Sequence, residues 1–426
     1  MSFQQGLSGL NAASKNLDVI GHNIANSGTV GFKASRTEFA EMVATAIGTS
    51  STGNAGIGVQ VDAVAQQFTQ GNITVTGNNM DVAINGNGFF KILQPDGSYA
   101  YTRSGNFKLD NQGNVITNSN GKVMGYPVDP TTGKRTSSSP APLVFPTGAP
   151  IPAKQTKTIT ASFNLDARAP DAAGNPAATP PIPATPRSTY GTSINVYDSQ
   201  GVATTVNLYF QKTATANTWD VYTQLDDPTA TPPVVAAPIG QITFDNNGKI
   251  IGPAATPPAT GFQMPVTISP PTPNPNNLPA YTVQIDLDGV TQFGTKFAVS
   301  ELTQDGYTAG QLTGINIGND GTIMTSYSNG VTRAEGQLAL ASFRNTQGLA
   351  DIGNNMWTET YASGQPTMGA PTDGAFGALR SGALEDSNVD LTAELVNMMT
   401  AQRAYQANAQ TIKTQDQVMS TLVNLR

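Results

Sequence analysis

The sequence predicts a mainly β protein with α-helical coiled-coil termini, in which nested, discontinuous β-domains are carried on paired N- and C-terminal helices. Three observations lead there. Of the 29 prolines, 26 lie between Pro127 and Pro279, and none occurs in residues 1–94 or 372–426. Proline breaks helix interiors, so only the two ends are free to be long helices. Apolar residues at both ends recur every seven positions. The middle repeats an alternating strand, an Asp/Asn-Gly turn and a second strand.

At the N-terminus, Phe3, Leu7, Leu10, Leu17 and Ile24 form a heptad seam, with Ser14 and Gly21 at its two weak positions. The helix should stop near Asn26-Ser27-Gly28. At the C-terminus, Asp390 is the expected N-cap. Leu391, Met398, Tyr405, Ile412 and Met419 follow at seven-residue steps, and Leu395, Gln402, Ala409, Asp416 and Val423 fill the second seam row. A helix from Asp390 to Asn424 would be roughly 50 Å long. With Gln402 and Asp416 in its seam it is marginal alone and wants a partner. Each heptad could by itself belong to an ordinary amphipathic core helix. Two of them flanking a β middle suggest ends that meet each other and copies of themselves.

Three segments read as β-hairpins: Phe107–Ile116, Ile242–Ile251 and Ile315–Met324. In each, the Asp (Asp110, Asp245, Asp320) is read as a turn residue bonding its local backbone. Further strands are expected at Thr192–Tyr197, Thr205–Gln211, Trp219–Leu225, Tyr281–Leu287 and Gly336–Phe343. The Pro/Ala/Thr-rich stretches 170–186, 228–238 and 253–279 read as extended loops. The resulting division is a terminal helical coiled-coil (inner tube) domain, 1–30 and 385–426; a connecting segment, 31–72 and 364–384; a first β-domain, 73–146 and 306–363; and an outer β-domain insertion, 147–305.

With 426 residues, two to four domains are expected. Charged residues are only 12%, net charge is −7, and no Lys/Arg run exists. Nucleic-acid binding and polybasic membrane contact are therefore not expected. The absence of cysteine removes disulfides, Cys-zinc sites and thiol catalysis. No apolar run reaches membrane-span length, and the N-terminus lacks the pattern of a Sec signal peptide. The expectation is a chain that is cytoplasmic or exported by a route that keeps its N-terminus.

No catalytic, metal or cofactor site emerges. The lone His22 sits inside the predicted helix, where a surface or interface role outweighs a triad. Ala83–Phe90 is Gly-rich but lacks the Lys-Ser/Thr of a phosphate loop, and reads as a turn between strands. The Asp-containing turns lack the closing Glu of a calcium loop. The acidic residues stand in no recognisable pair, although sequence alone does not exclude a glycosidase pair. Phe89, Phe90, Tyr99, Tyr101 and Phe107 are better read as core than as a stacking surface.

At this point the residues resemble a family. Leu7–Lys33 is similar to the N-terminal motif of the flagellar rod and hook axial proteins. Ser387–Leu391, Glu394–Met398 and Gln402–Ile412 resemble the matching C-terminal motif. Asp81–Phe90 and Tyr101–Phe107 resemble the family's first β-domain. Within that family, Met1-Ser-Phe3, Ser35–Met42, Tyr197–Gly201, Thr411–Gln417 and the large insertion near 147–305 are similar to hook subunits. One departure is His22, where the family usually has Asn.

The resemblance implies a structural subunit, not an enzyme, that self-assembles into a curved flexible tube acting as a universal joint between rod and filament. Polymerisation would use Phe3, Leu7, Leu10, Leu17, Ile24, Leu391, Leu395, Met398, Tyr405, Ile412 and Met419. The helices would be poorly ordered until copies meet. Export without cleavage through the flagellar type III apparatus is implied. Phe39 and Val43 match its Phe-x-x-x-hydrophobic export-gate motif, and a short helix packed on the first β-domain would serve equally. Implied partners are other copies of the chain, the distal rod protein, the hook–filament junction protein and the hook cap. The implied location is extracellular, in the hook and basal body. A distal rod subunit remains an alternative. So does a different class, a secreted β-rich adhesin or carbohydrate-active protein.

Overall fold

The computed structural model describes residues 2–43, 56–130, 132–145, 150–175, 177, 179–226, 236–254, 261–269 and 278–424. The architecture is mainly β with a helix at each end and nested β-domains. Helix α1 spans Ser2–Ala25 and helix α2 spans Leu391–Asn424. The chain forms two compact units, and both helices belong to the first.

The first unit comprises Met1–Gly148, Leu312–Ser326 and Thr332–Arg426. After α1, strands β1 (Ser35–Val43) and β2 (Gly56–Gln66) form an antiparallel ribbon. The main sheet then runs Leu312–Ile317, Thr322–Tyr327, Thr332–Leu338, Lys122–Tyr126, Phe89–Leu93, Tyr99–Thr102, Met356–Thr358, Ala350–Gly353 in neighbour order. Early strands pair with late ones: Val82–Asn85 with Ala378–Ser381, and Ile73–Val75 with Ala383–Glu385. This pairing is why both chain ends leave the unit together. Its core buries Val82, Ile84, Phe90, Ile92, Phe107, Leu338 and Leu340. Phe89, Tyr101, Phe343 and Trp357 make a second cluster with edge-to-face rings. Tyr99 differs from the expectation. It is 44% exposed, with Lys91 Nζ 3.9 Å above its ring, because it lies on the outward side of its short strand.

The second unit comprises Ala149–Gln311 and Tyr327–Val331. One sheet is a meander of Gly191–Tyr197, Ala203–Lys212, Thr218–Tyr222, Gly240–Phe244 and Ile250–Gly252. The other is built on Thr158–Asp166, whose Ile159, Ala161, Phe163 and Leu165 are buried at alternate positions, as the period of a strand requires. These meet Val206, Leu208, Phe210, Trp219 and Val221 in one core, with the Phe163 and Phe210 rings 4.6 Å apart.

The three expected hairpins are present, and their Asp residues act on the backbone. Asp110 Oδ1 accepts from the N–H of Gln112 and Asn114, Asp245 Oδ1 from Asn247 and Lys249, and Asp320 Oδ1 from Thr322. Gly113, Gly248 and Gly321 supply the left-handed position in each turn. Three expectations need correction. The strand at 219–225 ends at Tyr222. Gly336–Phe343 divides into parts of two strands, Thr332–Leu338 and Leu340–Ser342, because the second leaves its neighbour to pair with Thr367–Gly369. The stretch 253–279, expected to be loop, contains strand Gln263–Ile268 paired with Tyr281–Asp286. Pro265 is tolerated there because the strand lies at a sheet edge. Most of 228–238 lies outside the described residues.

The two tryptophans of the chain are buried one in each unit, Trp357 in the first and Trp219 in the second. In a Trp357→Phe background, Phe163→Ala should destabilise the second unit by about 3–5 kcal/mol, read from Trp219 fluorescence in urea. In a Trp219→Phe background the same change should leave the Trp357 transition in place. A shift of both transitions would show that the units unfold as one.

Candidate assembly interface

Helix α2 starts where the sequence places it. Asp390 Oδ1 accepts from the N–H of Thr392 and Ala393, which caps the first turn. Helix α1 packs antiparallel to α2. Gly6 lies against Ile412, Gly9 against Asn408, and Asn23 Nδ2 donates to Glu394 Oε1 at 3.3 Å. The glycines are needed for this approach. A Cβ at Gly6 would stand 3.1 Å from Ile412 Cγ1, and one at Gly9 would stand 2.8 Å from Asn408 Oδ1.

The residues that α1 buries are Gly6, Ala12, Ala13, Val19, Ile20 and Asn23, small in its first half and larger in its second. This corrects the expected seam. Phe3 and Leu7 are exposed at 49% and 44%, and Leu10, Leu17 and Ile24 are half-buried. On α2 the more covered rows are Glu394, Ala401, Asn408, Gln415 and Met398, Ile412. Leu391, Leu395, Val396, Met399, Tyr405 and Met419 remain exposed. Of the expected second row, Leu395, Gln402 and Asp416 are exposed and Ala409 is half-buried, while the Val423 side chain lies outside the described residues. Close approach is set on α1, where Gly6 and Gly9 leave room for the Ile412 and Asn408 side chains of α2. Within one chain the two helices already lie against each other.

The Phe39–Val43 segment is strand, not short helix. It belongs to β1, whose residues from Ser35 to Val43 pair with β2. Phe39 is 45% exposed. Of Val43 only the backbone, paired with Gly56, belongs to the described residues. The ribbon lies on α1: Gln5 Nε2 donates to the Gly56 carbonyl at 2.6 Å, and Val59 N–H donates to Ser8 Oγ at 3.3 Å.

Sequence reasoning missed the junction where the two ends meet the sheet. Glu385, fully buried, accepts from Lys33 Nζ at 2.6 Å, from Gly71 N–H at 2.9 Å and from Arg103 Nη1 at 3.2 Å. Lys33 also donates to the Thr69 carbonyl, and Arg103 Nη2 to the Gly86 carbonyl. Burial pushes the Lys33 ammonium below its ordinary range, against the pull of Glu385, and does the same to the Arg103 guanidinium. Two amides complete the junction. Asn23 makes a two-way bond with the Ser35 backbone, and Asn388 accepts from Ala34 N–H while donating to the Gln67 carbonyl. Lys33, Arg103 and Asn388 each lie in a motif noted above, but residues 33, 103 and 385 are too distant in sequence to suggest one cluster.

His22 is exposed on α1, its ring 5.5 Å from that of Phe32. Among the described residues no group of three His, Cys, Asp or Glu side chains could hold a metal ion. No described helix is long and apolar enough to cross a membrane.

Family comparisons cover the chain in pieces. Residues 3–33 match the family described as flagella basal body rod protein, 83–162 the flagellar hook protein FlgE/F/G D1 domain, 164–307 the flagellar basal body protein FlaE D2 domain, and 380–425 the flagellar basal body rod FlgEFG protein C-terminal region. The chain is 42% identical to the flagellar hook protein FlgE of Salmonella typhimurium, with 100% of each chain covered. It is 33% identical to that of Borreliella burgdorferi, with 100% of this chain and 99% of the relative covered. The crystal structure of Helicobacter pylori flagellar hook protein FlgE2 shares the fold at TM-score 0.51 and 16% identity, covering 73% of this chain and 100% of that one.

Removing the shared carboxylate should leave two buried cations unpaired. Glu385→Ala is therefore expected to destabilise the first unit by about 3–5 kcal/mol, read from Trp357 fluorescence in urea. A loss below about 1 kcal/mol would show that the cluster does not hold the junction.

Proposed function

Because the chain belongs to the flagellar hook protein family, as a structural subunit of the hook, we propose that its copies polymerise through the outer faces of α1 and α2. In this reading residues 1–30 and 385–426 pair as a coiled coil and line the inner tube. Residues 31–72 and 364–384 connect to the first β-domain, 73–146 and 306–363, and the insertion 147–305 faces outward. The tube is curved and flexible and acts as a universal joint between rod and filament.

The observation that carries this is the row of large apolar side chains left uncovered on two helices that already pair: Phe3, Leu7, Leu391, Leu395, Val396, Met399, Tyr405 and Met419. Each is already about half covered, so burying the remainder between copies contributes roughly 0.7–1.5 kcal/mol apiece, and together they outweigh an exposed ion pair. Leu10, Leu17 and Ile24 are half-covered and would be closed further by a copy, whereas Met398 and Ile412 already lie in rows that α1 partly covers. Head-to-tail joining that does not close gives a helical tube.

The same reading makes the chain an extracellular component, exported without cleavage by the flagellar type III apparatus, with Phe39 and Val43 as its export-gate motif. The exposure of Phe39 on the ribbon supports a role beyond core packing. The distal rod protein, the hook–filament junction protein and the hook cap are the proposed neighbours at its ends.

The test is a double charge substitution on the uncovered face. Leu395→Glu with Met399→Glu should leave a folded monomer by sedimentation and circular dichroism, and should form no tubes by electron microscopy where the unmodified chain does. Tubes at undiminished yield would remove α2 from the interface.

A further inference from the structure

Between α1, α2 and β1 lies a cavity of about 430 Å³. Its walls include Val19 and Ile20 of α1, Thr37 of β1, and Glu394, Asn397, Ala401 and Ala404 of α2. Two polar atoms on these walls are buried without a partner, Thr37 Oγ1 and Glu394 Oε2. Thr37 is only 7% exposed, and the other carboxylate oxygen of Glu394 is taken by Asn23. A buried carboxylate oxygen with no donor is costly. The site therefore calls for a cation with an aliphatic stem. The stem would lie on Val19, Ile20 and the two alanines, with its head on Glu394 and Thr37.

We propose that this cavity receives Arg403 from α2 of a second copy of the chain. The assignment rests on the polymerisation reading above, and on charge and supply. The terminal helices carry the cations Lys15, Arg403 and Lys413 among the described residues, all three exposed and in no ion pair. Arg403 alone has a planar fork that can donate to a carboxylate and a hydroxyl together, and a guanidinium is less strongly hydrated than an ammonium. Arg36, on the cavity wall, is already paired with Glu38 at 2.7 Å. The apolar rows of the helices would supply the adhesion. The Glu394–Arg403 pair would fix which position along one helix meets its neighbour, since a misplaced copy leaves both charges uncompensated.

The test measures the critical concentration for tube formation by sedimentation, with electron microscopy, on full-length chains. Monomer helicity and Trp357 fluorescence serve as checks of folding. Glu394→Gln, which keeps the shape and the Asn23 contact, should raise the critical concentration at least tenfold. Glu394→Arg and Arg403→Glu should each do the same or more, and the combined Glu394→Arg, Arg403→Glu chain should return to within about threefold of the unmodified protein. Arg403→Glu tubes at the unmodified critical concentration, or a combined chain no better than the single ones, would overturn the pair and leave assembly through the helices intact. Restoration of Glu394→Arg by Lys15→Glu, Lys413→Glu or Arg36→Glu instead would overturn the assignment to Arg403. Failure of the unmodified chain to form tubes would overturn both readings.

Discussion

The carboxylate of Glu385 is the constraint on which the first unit turns. It is fully buried and gathers Lys33 from just past α1, Gly71 from beyond the ribbon and Arg103 from the loop after a core strand. Residues 33, 71, 103 and 385 thus share one point. Buried charges are unforgiving of misplacement, because each lost partner leaves an uncompensated charge in a low dielectric. Buried ion clusters in general add little net energy over an apolar core of the same volume, so the consequence of this one lies in the segments it ties together. The direction in which α1 departs and the direction in which α2 departs are set by segments tied to the same group.

From that junction the helices divide their surfaces. Gly6, Gly9, Ala12 and Ala13 of α1 let α2 approach closely beside Val19 and Ile20, while Phe3, Leu7, Leu391, Leu395, Val396 and Met399 stay uncovered. The first contact satisfies the chain itself. The second leaves it with an apolar surface that a monomer does not cover. A structural subunit needs this division, since a chain that hid all of its apolar surface would have nothing to offer a copy. The β units are held by a different rule. Their strands bury alternate residues, and their turns are closed by Asp side chains and left-handed glycines.

Much of this was legible in the sequence. Proline placement located the helices, the Asp–Gly turns located three hairpins, and Asp390 located the start of α2, because each of these signals acts on its immediate neighbours. The helix contact is not legible in the heptads, which mark only the large apolar residues. Gly6, Gly9 and Ala13 look like weak positions, yet small residues are what a close helix pair requires. The Gln263–Ile268 strand was hidden by Pro265, which only an edge position permits. The Glu385 cluster was invisible for a different reason. It joins segments tens to hundreds of residues apart, and a single Lys, Arg or Glu in sequence reads as surface.

The apolar face of α2 is open in one chain and, in the assembly proposed above, closed among many. A chain without cysteine allows a direct measurement, because a single Met399→Cys substitution gives one thiol whose maleimide reaction rate reports its accessibility. The account predicts rapid labelling of the monomer and labelling at least tenfold slower in assembled tubes. Equal rates in the two states would contradict it.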